Sequence, residues 1–261
     1  MDDIEYLKNN GVDVETSIEL LGDIESYNET MQEFLNLYQE KLSKLKEYKD
    51  EGDLENYSIF AHSIKSDARY LGFIRLSEIA LNHEMQGKAG NKEFVDGDFE
   101  NLVNEMEKAK SISENYLGDK AYEEVEKKEL TPINTDKAIL IVDDSSIIRD
   151  FLYKILGSTY ECIMAEDGKK AINILEKSDS SRIQAVFLDL NMPNFSGFDV
   201  LEYFKEKNWF TKFPVSIITG ADDKNSIDAA FQYQIVDMIS KPFNENDVKR
   251  IVERTIAFKE Y

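Results

Sequence analysis

The 261-residue chain predicts two folds in succession, an all-α four-helix bundle and then an α/β domain with a parallel five-stranded sheet. Two observations carry this prediction. From Val14 to Tyr116 apolar residues recur at three- and four-residue intervals with no proline among them, whereas from Ala138 onward short apolar runs alternate with amphipathic stretches. At about 150 residues per domain, the length leaves room for two separate cores. The predicted organisation is a bundle over 1–118, a connector over 119–136 and the α/β domain over 137–261.

In the bundle, Phe34, Leu35, Tyr38, Leu42 and Leu45 stripe a long helix from Ile24 to Lys49. Asp53 caps a second helix through Leu71, which ends near Gly72. A third runs from Ser77 to about Gln86, Gly87 to Gly97 reads as a loop, and a fourth spans Asp98 to Tyr116. The connector is rich in Glu and Lys, includes Thr131-Pro132 and lacks a sustained apolar stripe. A flexible linker of that length spans roughly 20–25 Å. In the second half the strands are Ala138–Val142, Glu161–Ala165, Ala185–Leu188, Pro214–Thr219 and Val236–Ser240. Helices are expected near 146–156, 168–177, 197–206, 223–232 and 244–258. Strand–helix alternation of this kind makes a parallel sheet covered on both faces.

Composition excludes several functions. With 52 acidic and 31 basic residues the net charge is −21, of which −16 falls in residues 1–130. Nucleic acid is therefore not an expected partner, because its phosphate backbone needs a basic footprint. No apolar run approaches the roughly 18 residues of a membrane span, and the start Met-Asp-Asp-Ile-Glu is unlike a signal peptide. The expectation is a cytoplasmic protein with no membrane insertion. The single cysteine, Cys162, cannot form an intrachain disulfide and reads as a buried, inert thiol.

In parallel sheets functional residues gather at the carboxyl ends of the strands. Here those ends are Asp143-Asp144, Asp189, Thr219 and Lys241-Pro242. Carboxylates converging on one crevice repel unless a cation joins them, and an oxygen donor set suits magnesium. Asp144 and Asp189 would hold the ion, Asp143 partly through water, with the backbone carbonyl of Asn191 as a further ligand. A carboxylate at Asp189 could attack phosphorus to give an acyl phosphate, with the Thr219 hydroxyl and Lys241 ammonium on its oxygens. The simpler alternative is that such acids only cap the following helices.

The stretches I-V-D-D, F-L-D-L-N-M-P, I-I-T-G and I-S-K-P-F, with Asp144, Asp189, Thr219 and Lys241 spaced 45, 30 and 22 residues apart, resemble the receiver domain of two-component response regulators over about 137–260. The resemblance implies a flavodoxin-like (βα)5 strand order. It also implies Asp189 as phosphoacceptor, Asp143 and Asp144 as magnesium acids, Thr219 as switch hydroxyl and Lys241 as phosphate-sensing lysine. One departure is Met238, three residues before the lysine, where the family commonly carries an aromatic residue.

Two histidines are present, His62 and His83. At about 100° per residue, Lys65, Ser66 and Arg69 fall within about 60° of His62, while Phe60, Ile64 and Leu71 lie on the far side. The projection predicts a solvated His62 with cations beside it, where a neutral imidazole can attack phosphorus and Lys65 can hold phosphoryl oxygens. Small Ser66 and Gly72 would admit a second protein's active site. The segment A-H-S-I-K-S-D-A-R-Y-L-G resembles the signature of histidine phosphotransfer (HPt) domains, with Ser66 in place of a usual glycine and Asp67 unusual. His83, outside any motif, reads as a surface residue.

Together these resemblances imply a phosphorelay intermediate that passes phosphoryl groups between His62, Asp189 and partners, namely a sensor histidine kinase or other receiver or phosphotransfer proteins. No glycine-rich phosphate loop or ATP-binding domain is recognised, so the expectation is a signalling phosphoacceptor and not an enzyme, with magnesium-dependent self-phosphorylation and autodephosphorylation at Asp189. The alternative is a receiver-only switch with a degenerate bundle used for dimerisation or docking. A haloacid-dehalogenase-like phosphatase would need a D-x-D nucleophile motif, which neither I-V-D-D nor L-D-L-N offers.

Overall fold

A computed structural model describes residues 3–118, 121, 134–220 and 224–259, in two compact units covering 1–127 and 128–261. Most of the predicted connector lies outside the described residues. Among its described residues the first unit has six α-helices: α1 (Asp3–Asn9), α2 (Val14–Leu21), α3 (Ile24–Glu51), α4 (Leu54–Tyr70), α5 (Ile74–Lys88) and α6 (Lys92–Leu117). The last four form the bundle, α4 packing against α3 and α5, and α6 against α3 and α5. No helix among the described residues is long and apolar enough to cross a membrane.

Local chemistry sets the helix ends. The Asp23 carboxylate accepts from the Ser26 amide at 2.7 Å and opens α3, and Gly52 closes it in the left-handed region at φ 73°. Asp53 opens α4 by accepting from the Asn56 amide at 3.0 Å. The predicted loop at 87–97 is shorter in the structure, because Asn91 accepts from the Phe94 amide at 3.2 Å and starts α6 there. Gly97 imitates a loop residue inside this helix. It is an exposed helical glycine in open space, a modest cost that buried Val95 and Phe99 outweigh.

Gly72 has a different role from the one expected. It is buried at φ +78°, and a Cβ there would sit 2.5 Å from the Asp13 carbonyl oxygen, while its own carbonyl accepts from the Asp13 amide at 3.0 Å. Its smallness joins α4 to the start of α2 and leaves no room for a docking protein. Gly72→Ala is expected to lower the bundle's stability by about 2–4 kcal/mol, from left-handed strain plus overpacking, read as a lower urea midpoint.

The second unit contains β1 (Asn134–Val142), α7 (Ser146–Leu156), β2 (Tyr160–Ala165), α8 (Gly168–Leu175), β3 (Ile183–Asp189), α9 (Gly197–Lys207), β4 (Val215–Gly220), α10 (Lys224–Ala230), β5 (Asp237–Lys241) and α11 (Glu245–Lys259). All strands are parallel, in the order β2-β1-β3-β4-β5. That is the flavodoxin-like order. β1 begins four residues before the apolar run, inside the stretch assigned to the connector, because Asn134 pairs with Tyr160 ahead of a register shift; polar strand ends give no hydropathy signal. Leu140, Val142, Val186, Leu188 and Ile217 pack on the face shared with α8 and α9. Alternate residues of the same strands meet α7 and α11. Cys162 on edge strand β2 is only partly buried, and desolvation pushes its thiol up to about 12, so it stays protonated.

Candidate functional sites

β1 and β3 lie side by side with Val142 paired to Leu188, so the next residues, Asp143 and Asp189, emerge together at the crevice where strand order reverses. Carboxylate oxygens of Asp143, Asp144 and Asp189 all lie within 4.8 Å of one another. Lys241 Nζ sits 2.8 Å from Asp143 Oδ2 and 2.7 Å from Asp189 Oδ2. Asp143, Asp189, Thr219 and Lys241 are all buried. The other oxygen of each inner acid accepts a backbone amide: Asp143 Oδ1 from Ser145 at 2.9 Å and Asp189 Oδ1 from Asn191 at 3.2 Å. The Thr219 hydroxyl makes a long contact, 3.4 Å, to the Gly220 carbonyl. Gly197 keeps the acceptor loop tight, since a Cβ there would lie 2.2 Å from the Asp189 carbonyl oxygen.

Burial raises the Asp189 carboxyl to about 7; the charges of Asp143 and Asp144 push the same way, and Lys241 opposes them. Burial alone would lower Lys241, but Asp143 and Asp189 outweigh it and hold the ammonium charged. Three carboxylates against one ammonium leave a negative excess in a water-poor crevice. An all-oxygen donor set with that excess fits a hard divalent cation.

The bundle site differs from its prediction in one respect. His62 is 1 % exposed, not solvated. The projection placed polar neighbours correctly around the helix, but α4 is buried on every face from Ala61 to Ala68, and the polar face meets Glu84 from α5. His62 Nδ1 lies 2.9 Å from Glu84 Oε1, Lys65 Nζ 2.8 Å from Glu84 Oε2 and Lys88 Nζ 2.9 Å from Glu84 Oε1. Burial by itself would raise Glu84; the bond and charge of His62, reinforced by Lys65 and Lys88, outweigh it and hold the carboxyl well below the usual range. On the neighbouring face Lys41 holds Asp67 and donates to Ser63 Oγ at 2.9 Å, which gives the unusual Asp67 a structural partner.

His83 is also buried, contrary to the reading of it as a surface residue. Its Nδ1 lies 2.7 Å from the Tyr57 hydroxyl and its Nε2 3.2 Å from Asp98 Oδ2. Burial pushes it below the ordinary value of 6.5, with Asp98 opposing. The native bundle therefore holds His83 neutral, while the unfolded chain takes up a proton as pH falls below about 6.5. Stability is expected to decline as pH drops through that window, and His83→Gln should flatten the fall in thermal midpoint between pH 8 and 5.

Sequence reasoning missed Glu84 and Lys88. Both lie on α5 outside any motif, and the available signal was an acid at position 84 on the stripe Ala80, His83, Gly87 that α5 buries. Met238 is half-buried against the sheet core.

Comparison with known proteins finds a family model in each unit. The family model of the Hpt domain matches residues 24–111 and that of the response regulator receiver domain matches residues 139–253. A two-component response regulator of Oryza sativa subsp. indica, ORR3, is 29% identical over 119 residues, 45% of this chain and 89% of that protein. The sensor histidine kinase TmoS of Ectopseudomonas mendocina is 27% identical over 132 residues, 50% of this chain and 13% of the kinase. A crystal structure of a response regulator receiver domain protein from Clostridium thermocellum matches with 25% identity and a TM-score of 0.44, over 48% of this chain and 97% of the other. The helical unit thus contains an Hpt domain and the α/β unit a response regulator receiver domain, the two kinds of module from which two-component phosphorelays are built.

Proposed function

We propose that the chain relays phosphoryl groups through Asp189 and His62, receiving them from and delivering them to sensor histidine kinases, other receivers or other phosphotransfer proteins in the cytoplasm. The observation that carries this reading is the pairing of two unlike sites. One is an acid pocket with a buried lysine, and the other is a histidine whose Nδ1 is bonded to a carboxylate with two lysines on it.

In the receiver step an Asp189 carboxylate oxygen attacks phosphorus of a donor phosphohistidine. The P–N bond breaks, its electron pair returns to the donor imidazole, and a mixed anhydride forms. Lys241 and the Thr219 hydroxyl hold the arriving phosphoryl oxygens. Asp143, Asp144, Asp189 and the Asn191 carbonyl would hold magnesium, which supplies charge neutralisation on the transferred group. In the bundle step the Glu84 carboxylate, an acceptor only, accepts a hydrogen bond from His62 Nδ1–H, which keeps the proton on Nδ1 and leaves the Nε2 lone pair as nucleophile. Nε2 attacks phosphorus of an acyl phosphate, the P–O bond breaks, and the aspartate leaves as carboxylate. Lys65 and Lys88 are placed to exchange Glu84 for phosphoryl oxygens. These are stoichiometric transfers and not turnover, apart from self-phosphorylation and hydrolysis at Asp189.

A second reading, a switching receiver with a docking bundle, draws on the burial of His62. Against it, a docking bundle has no use for a buried His–Glu–Lys cluster, whose charges are costly to desolvate. The test is to load the wild-type chain from a phosphorylated kinase domain with magnesium and challenge the label with acid and with base. The expected result is base-labile label on Asp189 and acid-labile label on His62. If no competent donor ever yields acid-labile label on His62, the relay reading gives way to the second.

A further inference from the structure

We infer that Arg149 is a positioning residue for the cation site, acting through the backbone of the two acids and not through their carboxylates. The inference rests on the reading of that pocket as a divalent-cation site. Arg149 Nη1 lies 2.5 Å from the carbonyl oxygen of Asp143 and 2.9 Å from that of Asp144. Successive carbonyls of an extended strand point to opposite sides. Two in a row converging on one nitrogen mean that the chain has turned, and the guanidinium is what ties the turned peptides together.

Other groups anchor the same turn through different atoms. The Asp143 amide donates to the Ala165 carbonyl at 3.2 Å, and Ser145 caps α7 through Ile148. Arg149 sets its positive charge on two oxygens that carry partial negative charge behind three clustered carboxylates. It does so at a local cost, because α7 has no acid in its first turn and Arg149 follows immediately, near the positive end of the helix dipole. A residue that breaks a local rule in this way points to a role beyond the helix.

The geometric consequence is that each acid's Cα is fixed relative to the end of β1, so the carboxylates meet the ion without reorganising. With the clamp gone, both peptides can rotate and ion binding has to reorder them. Lysine keeps the charge but offers a point donor in place of a planar fork, so it should restore part of the effect.

The test is magnesium binding by titration calorimetry on the full chain, which reads the site without reference to phosphorylation. Arg149→Gln is expected to weaken magnesium about tenfold and Arg149→Lys less, the scale typical of groups that orient metal ligands. At saturating magnesium, phosphorylation by a small acyl-phosphate donor should return close to the wild-type rate, since Arg149 touches no reacting atom. Near-wild-type affinity in both folded variants overturns the inference, as does a phosphorylation defect that saturating magnesium leaves in place. If Arg149→Gln does not fold, the same criteria apply to Arg149→Lys. Wild-type protein that binds no magnesium would instead sink the cation-site reading, and this inference with it.

Discussion

The Asp189→Asn protein is expected to take up no base-labile phosphoryl group from any donor, a loss of more than about 10³-fold, the scale on which removing an attacking group lowers a covalent step. Asparagine keeps the shape of the side chain and removes the nucleophilic charge. The fold should survive, because the substitution relieves crowding: Asp143 remains 2.8 Å from Lys241, and one of three adjacent carboxylates is gone. Intact-protein mass spectrometry reads the phosphoryl group, and a thermal midpoint no lower than wild type in metal-free buffer verifies folding. Label that persists unchanged in a folded Asp189→Asn protein would remove Asp189 from the mechanism.

The second large effect is expected at Glu84. Glu84→Gln should slow phosphoryl transfer to His62 by about 10²-fold, because an amide can also donate and so no longer imposes the Nδ1–H tautomer that keeps Nε2 unprotonated. Loading of Asp189 from a small donor should be unchanged, which separates the defect from misfolding. A structural signature accompanies it. The folded-state value of Glu84 lies below its unfolded one, so its stabilisation is complete above the ordinary carboxylate range and is lost as pH falls below it. Glu84→Gln should lower stability at neutral pH and flatten the acid limb of the stability curve. Transfer to His62 within about threefold of wild type, well short of the general acid–base range, would reduce Glu84 to a structural partner.

Most of the architecture was legible because periodicity reports it directly. The α/β half is nearly complete from hydropathy, and its site was legible because parallel strands deliver their last residues to one crevice, as Asp143, Asp189 and Thr219 illustrate. The helical half was harder. α1 and α2 are too short for a stable stripe, and Gly97 imitates a loop inside α6. Most telling is His62, because a helical projection gives direction around an axis but not what packs there. The partner, Glu84, is 22 residues away on another helix, and no spacing rule connects them.

The pairing of Val142 with Leu188 has a consequence for how this site tolerates change. Asp143 and Asp189 are neighbours by strand register and not by sequence distance, and side chains alternate with a period of two. One residue added to or deleted from β1 or β3 would turn Asp143 or Asp189 through the sheet to the opposite face. An insertion of the same size in the turn at 157–159, before β2, would leave both acids in register. The receiver pocket is thus more fragile to a shift in length along two strands than to many substitutions beside it.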